Sequence, residues 1–278
     1  MTGDDFGLSV AVNEAIEEAH ARGILTSASL MIGSPAAADA VERARRNPSL
    51  RVGLHVVVVR GAPVLARQRI DRIVDREGML RRDLVRASFR WALDRKARAQ
   101  LHDEIEAQFE AYRATGLSLD HVDSHNHLHV HPIVFDLLLE IGPRYGMRAL
   151  RIPDEPALAS YRAAGDRFFS RAVWPLFLAP WMRRMRKRAR RAGLVTNDFV
   201  FGMRDSGHVT RDRVHGYVRV LPEGVSEIYA HPSTNGANGD PLAAGYDHAG
   251  ELAALVDAGV RRAIDEAGVE LVAYGDIA

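Results

Sequence analysis

"DHVDSHNHLHVHP", residues 120–132, decides how this chain arranges itself around its chemistry. It holds histidines at 121, 125, 127, 129 and 131, five of the twelve in the chain. Read as one strand, it would put His125 and His131 on one face but about 20 Å apart, at roughly 3.3 Å per residue. No single ion touches both ends. The strand is therefore expected to stop near Asp123–Ser124, with a helix starting at Pro132 and running over 132–146. His125 then sits at the carboxyl end of a strand, where α/β folds gather their ligands.

The same alternation extends both ways. Helical periodicity covers 11–23, 36–46, 97–115 and 248–268, and strand-like runs cover 25–33, 51–59, 118–124, 148–153, 224–232 and 269–277. With no repeat and no low-complexity linker, 278 residues read as one α/β domain over 1–278, its parallel sheet open or closed into a barrel. There are no cysteines, which excludes disulfides and thiolate metal sites and fits a reducing compartment. "MTGDDFGLSV" carries no basic segment before an apolar run, so no secretory leader is read there, and the apolar run 172–182 is too short to span a bilayer. Basic charge is concentrated in "WMRRMRKRARR" (181–191), seven Arg/Lys without an acid, which leaves the remainder net acidic and argues against a general nucleic-acid binder.

Further polar residues fall at strand ends. "GDDFG" (3–7) joins two carboxylates, which stay ionised together only with a cation near. It reads equally as an acidic turn before a helix. His55 lies in the otherwise apolar "RVGLHVVVV", Arg151 ends "LRIP", and His231 ends "IYAHP". Each has a structural reading: a satisfied core histidine, a surface ion pair, a strand end. A parallel barrel would collect them all on one rim, which is what an active site requires. Carboxylate and imidazole without thiolate suit Zn2+, Mn2+ or a similar divalent ion.

"TGDDFGLS", "RVGLH", "DHVDSHNHLHVHP", "LRIPDEP" and "IYAHP", in this order, resemble the YdjC-like carbohydrate deacetylases. "VFG" (200–202) and "GYDHAGELAAL" (245–255) fit its hopanoid-biosynthesis branch, the HpnK type. The resemblance implies an irregular (β/α) barrel, TIM-like or NodB-like, that removes acetyl groups from N-acetylated amino sugars with a divalent metal, Mg2+ in the family. It implies Asp5, His55 and His125 as metal ligands, Asp4 as base and His231 as acid. His127 and His129 are implied as pocket lining, and Arg151 is expected to anchor substrate. His131 is given no role.

Such relatives have apolar residues before the paired aspartates, so the barrel is expected to lack its first strand here and to leave Asp4 and Asp5 on a frayed end. The basic stretch within a 167–192 insertion reads as a helix, either packed on the barrel or resting on an anionic membrane. The HpnK-type substrate, a hopanoid lipid with an N-acetylglucosamine head group, favours the latter and places the protein in the cytoplasm, peripheral to the inner face of the membrane. A phosphoesterase and a non-catalytic membrane-associated barrel are the rival readings. The first should want more cationic residues around the metal, and the second should have lost Asp4 or His231.

Overall fold

The structure is a computed structural model that describes residues 1–166, 168–235 and 245–278, with 168–176 described by backbone alone. Six strands among these residues form one parallel sheet: β1 (Thr2–Phe6), β2 (Ser27–Leu30), β3 (Arg51–Val56), β4 (Val122–Ser124), β5 (Phe199–Phe201) and β6 (Ser226–Ala230). Their order is β4-β3-β2-β1-β6-β5. Helices α1 (Val10–Arg22) and α2 (Ala37–Arg46) follow β1 and β2, and α3 (Leu84–Leu93) and α4 (Arg95–Ala114) lie between β3 and β4. Then come α5 (Pro132–Ile141), α6 (Ala157–Ala164), α7 (Phe168–Arg191) and α8 (Arg211–Val218), and, beyond β6, α9 (His248–Leu255), α10 (Ala258–Glu266) and α11 (Tyr274–Ile277).

The sheet curls until its two edges are joined. Segment 148–154 bonds to both: Val122 N–H donates to Ala149 O, Leu150 N–H to Val195 O, and Val200 N–H to Asp154 O, at 3.0, 3.0 and 3.1 Å. The result is an irregular barrel with one core of Leu, Ile, Val and Phe between sheet and helices, such as Ile16, Leu54, Ile105, Phe135 and Phe201.

The expected missing strand is present, and this corrects the sequence reading. "TGDDF" itself is β1, buried at every position and central in the sheet. Thr2 pairs with Ser27 on one side and Tyr229 on the other, and Gly3 with Ala28 and Ala230. Glycine and two aspartates are poor strand formers, so the segment reads as a turn. Its pairing on both sides, and the neutralisation of Asp4 described below, override that preference. The tail is corrected in the opposite sense: 269–277 forms no strand but extended chain followed by α11. Both flanks of β1 are already taken, and the tail instead crosses the amino end of the barrel, where Gly275 N–H donates to Asp120 Oδ1 at 2.8 Å. The single helix expected over 248–268 is two, because Asp257 caps a new start by accepting from Gly259 and Val260 N–H.

β4 ends at Ser124 as expected, and a 3-10 turn over His125–Val130 leads to His131, which caps α5 ahead of Pro132. In the carboxyl half of α7, Met182, Met185 and Ala189 are buried against the barrel, while Phe177 is exposed. Arg186, Arg188 and Arg190 pair with Asp154, Asp136 and Asp198. The part of the expected insertion at 167–176 has side chains outside the described residues.

A frayed β1 and a central β1 differ in hydrogen exchange. Amides of residues 2–6 are expected to be protected to the same degree as those of β2, whereas exchange as fast as an unfolded terminus would contradict this placement.

Candidate active site

Consecutive strand residues point to opposite faces, yet Asp4 and Asp5 both line one cavity. The backbone explains it. Asp5 has φ +63°, and the β1–β2 register shifts between Gly3 and Phe6, so the chain twists and swings the second carboxylate to the side of the first. Among the described residues the other non-glycine residues with positive φ are Arg60, Asn126 and His127, at 58°, 55° and 52°. All four line this cavity of about 340 Å3, at the carboxyl ends of the strands. Such conformations cost about 1–3 kcal/mol each and mark places where geometry is held for a purpose.

Asp5 is the centre of a compact donor group. His125 Nδ1 lies 3.0 Å and His55 Nε2 3.5 Å from its Oδ1, and the three donors fall within 4.8 Å of one another. His55 and Asp123 face each other in the β3–β4 register, and His55 Nδ1 donates to Asp123 Oδ1 at 2.8 Å. This leaves Nε2 turned to Asp5, as in histidines that hold a metal with a carboxylate behind them.

Asp4, His55 and Asp123 also approach within 4.8 Å, but their carboxylates already have a cation. Arg151, fully buried, donates to Asp4 Oδ2 and Oδ1 at 2.8 and 2.9 Å and lies 2.5 Å from Asp123 Oδ2. It also donates to Glu227 Oε2 and Oε1 at 2.9 and 2.7 Å. Burial opposes ionisation of Glu227, yet Arg151 holds its pKa down at about 2 and Asp123 well below the usual range. Three buried carboxylates thus share one permanent cation, and Asp5, a fourth, is the one that Arg151 does not bond. Burial opposes the charge on Asp5 too, while His125, His231 and His55 keep it ionised. Asp5, His55 and His125 therefore fit a divalent ion in donor type, in spacing and in the negative charge left uncompensated.

The expected role of Arg151 is corrected: it is buried under the aspartates, with its guanidinium spent on carboxylates, and does not reach the cavity. His129 is corrected likewise. It is fully buried outside the cavity lining, its ring bonded to Ser124 Oγ at 2.7 Å, and burial holds its pKa at about 4. It braces the turn that presents His125. His127 does line the cavity, with Nε2 2.9 Å from Tyr229 Oη. His231 lines the cavity wall from β6, and its Nδ1 has no hydrogen-bond partner among the described residues. Its backbone is fixed by Glu251, which accepts from His231 N–H at 2.5 Å and Val209 N–H at 2.9 Å.

Sequence reasoning passed over Tyr229, Tyr246, Ser206, Met203, Arg60 and Leu84, which with Ser124 and Asn126 complete the lining. Tyr229 was legible by strand period from His231; the loop residues had no signal. A larger cavity of about 740 Å3 lies beside the amino ends of β3 and β4 and holds none of the metal-binding or acid–base candidates.

His121 carries the site inward. Its Nδ1 is 2.8 Å from Asp120 Oδ2 and its Nε2 3.0 Å from Ser29 Oγ, which in turn donates to Asp123 Oδ2 at 3.1 Å. Ser29 gives its only proton to Asp123, so it accepts from Nε2–H, and Asp120 accepts from Nδ1–H. Both ring nitrogens then carry hydrogen. Burial opposes this imidazolium, and Asp120 and Asp123 raise its pKa. The ring occupies the space over Gly53, where a Cβ would lie 2.6 Å from Cε1, which explains the glycine of "RVGLH".

The family model for YdjC-like protein matches residues 1–266. Curated proteins named carbohydrate deacetylase are similar over varying lengths. That of Geobacillus stearothermophilus is 30% identical over 279 residues, 99% of this chain and 95% of its own length. That of Brevibacillus brevis is 36% identical over 148 residues, 52% of this chain and 55% of its own, and that of Vibrio vulnificus 34% over 172, 61% and 66%. The matched region thus spans about half to two thirds of the latter two relatives. A crystal structure from Enterococcus faecalis, described as a candidate cellobiose-phosphate cleavage protein, has the same fold, with a TM-score of 0.73 at 22% identity over 100% of this chain and 97% of that one.

Two outcomes test this geometry. Gly53→Ala should lower stability by about 1–3 kcal/mol through overpacking on His121, measured by urea denaturation; no loss would mean the ring lies elsewhere. Although burial lowers it, Asp123, Asp4 and Asp5 raise the His55 pKa from 6.5 to about 9. Without metal, this proton stabilises the fold fully below pH 6.5, and that contribution is lost as pH rises through 9. A metal must displace it, so Mn2+ affinity should rise with pH up to about 9. Calorimetry at pH 7.5 in buffers of differing ionisation enthalpy should show proton release, and none would contradict His55 as a ligand.

Proposed function

We propose that this chain, which belongs to the YdjC-like family, removes the N-acetyl group of an N-acetylglucosamine-type sugar. The reading is supported by relatives named carbohydrate deacetylase, and removing an N-acetyl group makes this chain a hydrolase of a carbon–nitrogen amide bond. The observation that carries the reading is the juxtaposition of Asp5, His55 and His125 with Asp4 and His231 in one cavity.

Asp5, His55 and His125 would hold the divalent ion. An ion there would polarise the acetyl carbonyl and make water a stronger nucleophile near neutral pH. Two imidazoles and one carboxylate suit Zn2+ or Mn2+ better than Mg2+, which prefers oxygen. Asp4 faces the cavity as a carboxylate whose orientation is fixed at both oxygens by Arg151, and it takes the proton of the attacking water. The amine cannot leave as an anion. His231, with Nδ1 unengaged, gives it a proton as the carbon–nitrogen bond breaks and acetate forms. Tyr229, Tyr246, Leu84 and Met203 supply aromatic and apolar faces suited to the C–H side of a sugar ring.

The finer reading is that the sugar is the head group of a hopanoid lipid, met at the inner face of an anionic membrane. It is supported by the "VFG" and "GYDHAGELAAL" segments and by the exposed Arg183, Arg184, Lys187 and Arg191 of α7. A soluble chitooligosaccharide is the alternative. Acetate release from an N-acetylglucosaminyl lipid and from chitobiose, with metal added and removed, separates them. Activity should require the metal, favour the lipid and fall about 10²–10⁴-fold in Asp4→Asn; metal-independent release, or full activity in Asp4→Asn, would refute the mechanism.

A further inference from the structure

Helix α3 turns its apolar stripe the wrong way for a core helix. Val85, Phe89 and Leu93, at four-residue spacing on one face, are 65%, 63% and 82% exposed. They make up three of the seven large hydrophobic residues exposed among those described. The opposite face is ordinary: Ala87 and Trp91 are buried, and Trp91 packs edge-on against His131 at 5.4 Å. The helix is therefore seated on the barrel by one face and presents a second apolar face to solvent.

What borders that face narrows its occupant. Arg82, Arg86, Arg95 and Lys96 are exposed along and beside the helix, and Arg90 is partly so. Of the nearby acids, Asp83 caps α3 and pairs with Arg86 at 3.3 Å, and Asp94 caps α4 and lies 3.9 Å from Arg72, so the basic residues outnumber them along this face. A second copy of this chain paired through α3 would bring these arginines against their own counterparts. An anionic lipid surface complements them, and an exposed apolar stripe flanked by arginine is what a helix lying in a membrane interface presents. The other basic helix offers less with the residues described: Met182, Met185 and Ala189 of α7 face the barrel, and Phe177 is its one exposed large hydrophobic among them, without a stripe beside it. α3 also starts at the mouth of the active cavity: Leu84 lines it, and so does Arg60, whose Nε donates to Arg82 O at 3.1 Å.

We propose that α3 is a membrane-docking helix, inserting Val85, Phe89 and Leu93 among the acyl chains of an anionic leaflet and opening the active cavity toward the lipid head groups. This rests on the lipid-borne reading of the substrate for its biological sense, since a docked mouth serves a head group rather than a free sugar. The surface itself is argued from α3 alone.

The test uses the full chain and vesicles of phosphatidylglycerol and phosphatidylcholine that contain no sugar lipid, so binding is read without any substrate. The wild type should co-sediment with vesicles rich in phosphatidylglycerol and much less with phosphatidylcholine alone. The triple variant Val85→Ser, Phe89→Ser, Leu93→Ser should bind at least about tenfold more weakly and keep its fold by circular dichroism. Arg183→Gln with Lys187→Gln in α7 should have a smaller effect. Wild type that ignores anionic vesicles, binds neutral ones equally, or is unaffected by the triple change would overturn the proposal. So would sedimentation showing a dimer that the triple variant dissolves. Acetate release from chitobiose and from the N-acetylglucosaminyl lipid dispersed in detergent, measured with the same proteins, reports the deacetylase reading separately: its absence from both refutes that reading and leaves the vesicle result standing.

Discussion

A single buried guanidinium organises the barrel. Arg151 reaches from the segment that closes the sheet and bonds carboxylates on β1, β4 and β6: Asp4, Asp123 and Glu227. None of those charges could be ionised in the core alone, and removing one partner of such a buried pair typically costs 3–5 kcal/mol. The arginine is not at the surface and not in the cavity. It is the counter-charge that lets acidic residues stand on interior strand faces, and it divides the paired aspartates by task. Asp4 is bound to it at both oxygens and fixed in direction. Asp5, rotated by its left-handed backbone, has imidazoles as its side-chain partners among the described residues and is the carboxylate that the guanidinium does not bond.

The chemistry follows from this division. His55 is aimed by Asp123, Asp123 is held by Arg151 and Ser29, and Ser29 is held by the imidazolium of His121. Each group fixes the tautomer or direction of the next, so the outermost nitrogen, His55 Nε2, arrives at the cavity with little freedom left. Preorganisation of this kind lowers the reorganisation needed when charge develops on the substrate. On the opposite wall Glu251, whose pKa burial raises, ties the backbone of His231 to the loop that carries Met203 and Ser206.

Much of this was legible in the sequence, for physical reasons that differ by residue. The end of β4 could be placed because one ion cannot span 125 to 131 and because Pro132 starts helices. The paired aspartates, His55, His125, Arg151 and His231 could be expected on one rim because a parallel barrel gathers its strand ends there, whereas the choice of Asp5, His55 and His125 as the ligand set came from the family resemblance alone. The first strand was hidden because Gly3, Asp4 and Asp5 have strand preferences that only tertiary pairing reverses. The tail over 269–277 misled in the other direction: its alternation suits a strand, but no free edge beside β1 is left to receive it. Arg151 and His129 look like site residues in sequence, and only depth in the barrel distinguishes a residue that touches substrate from one that supports the residues that do. The exposure of the α3 stripe could not be read at all, because periodicity gives the spacing of apolar residues and not which of two faces is turned inward.

The most direct measurement is the anomalous diffraction of crystals soaked in Mn2+ at pH 8. A division of labour imposed by Arg151 predicts one strong peak bonded to Asp5, His55 and His125, with Asp4 and Asp123 still on the guanidinium. A peak bonded to Asp4 and Asp123, or none within reach of Asp5, would contradict it.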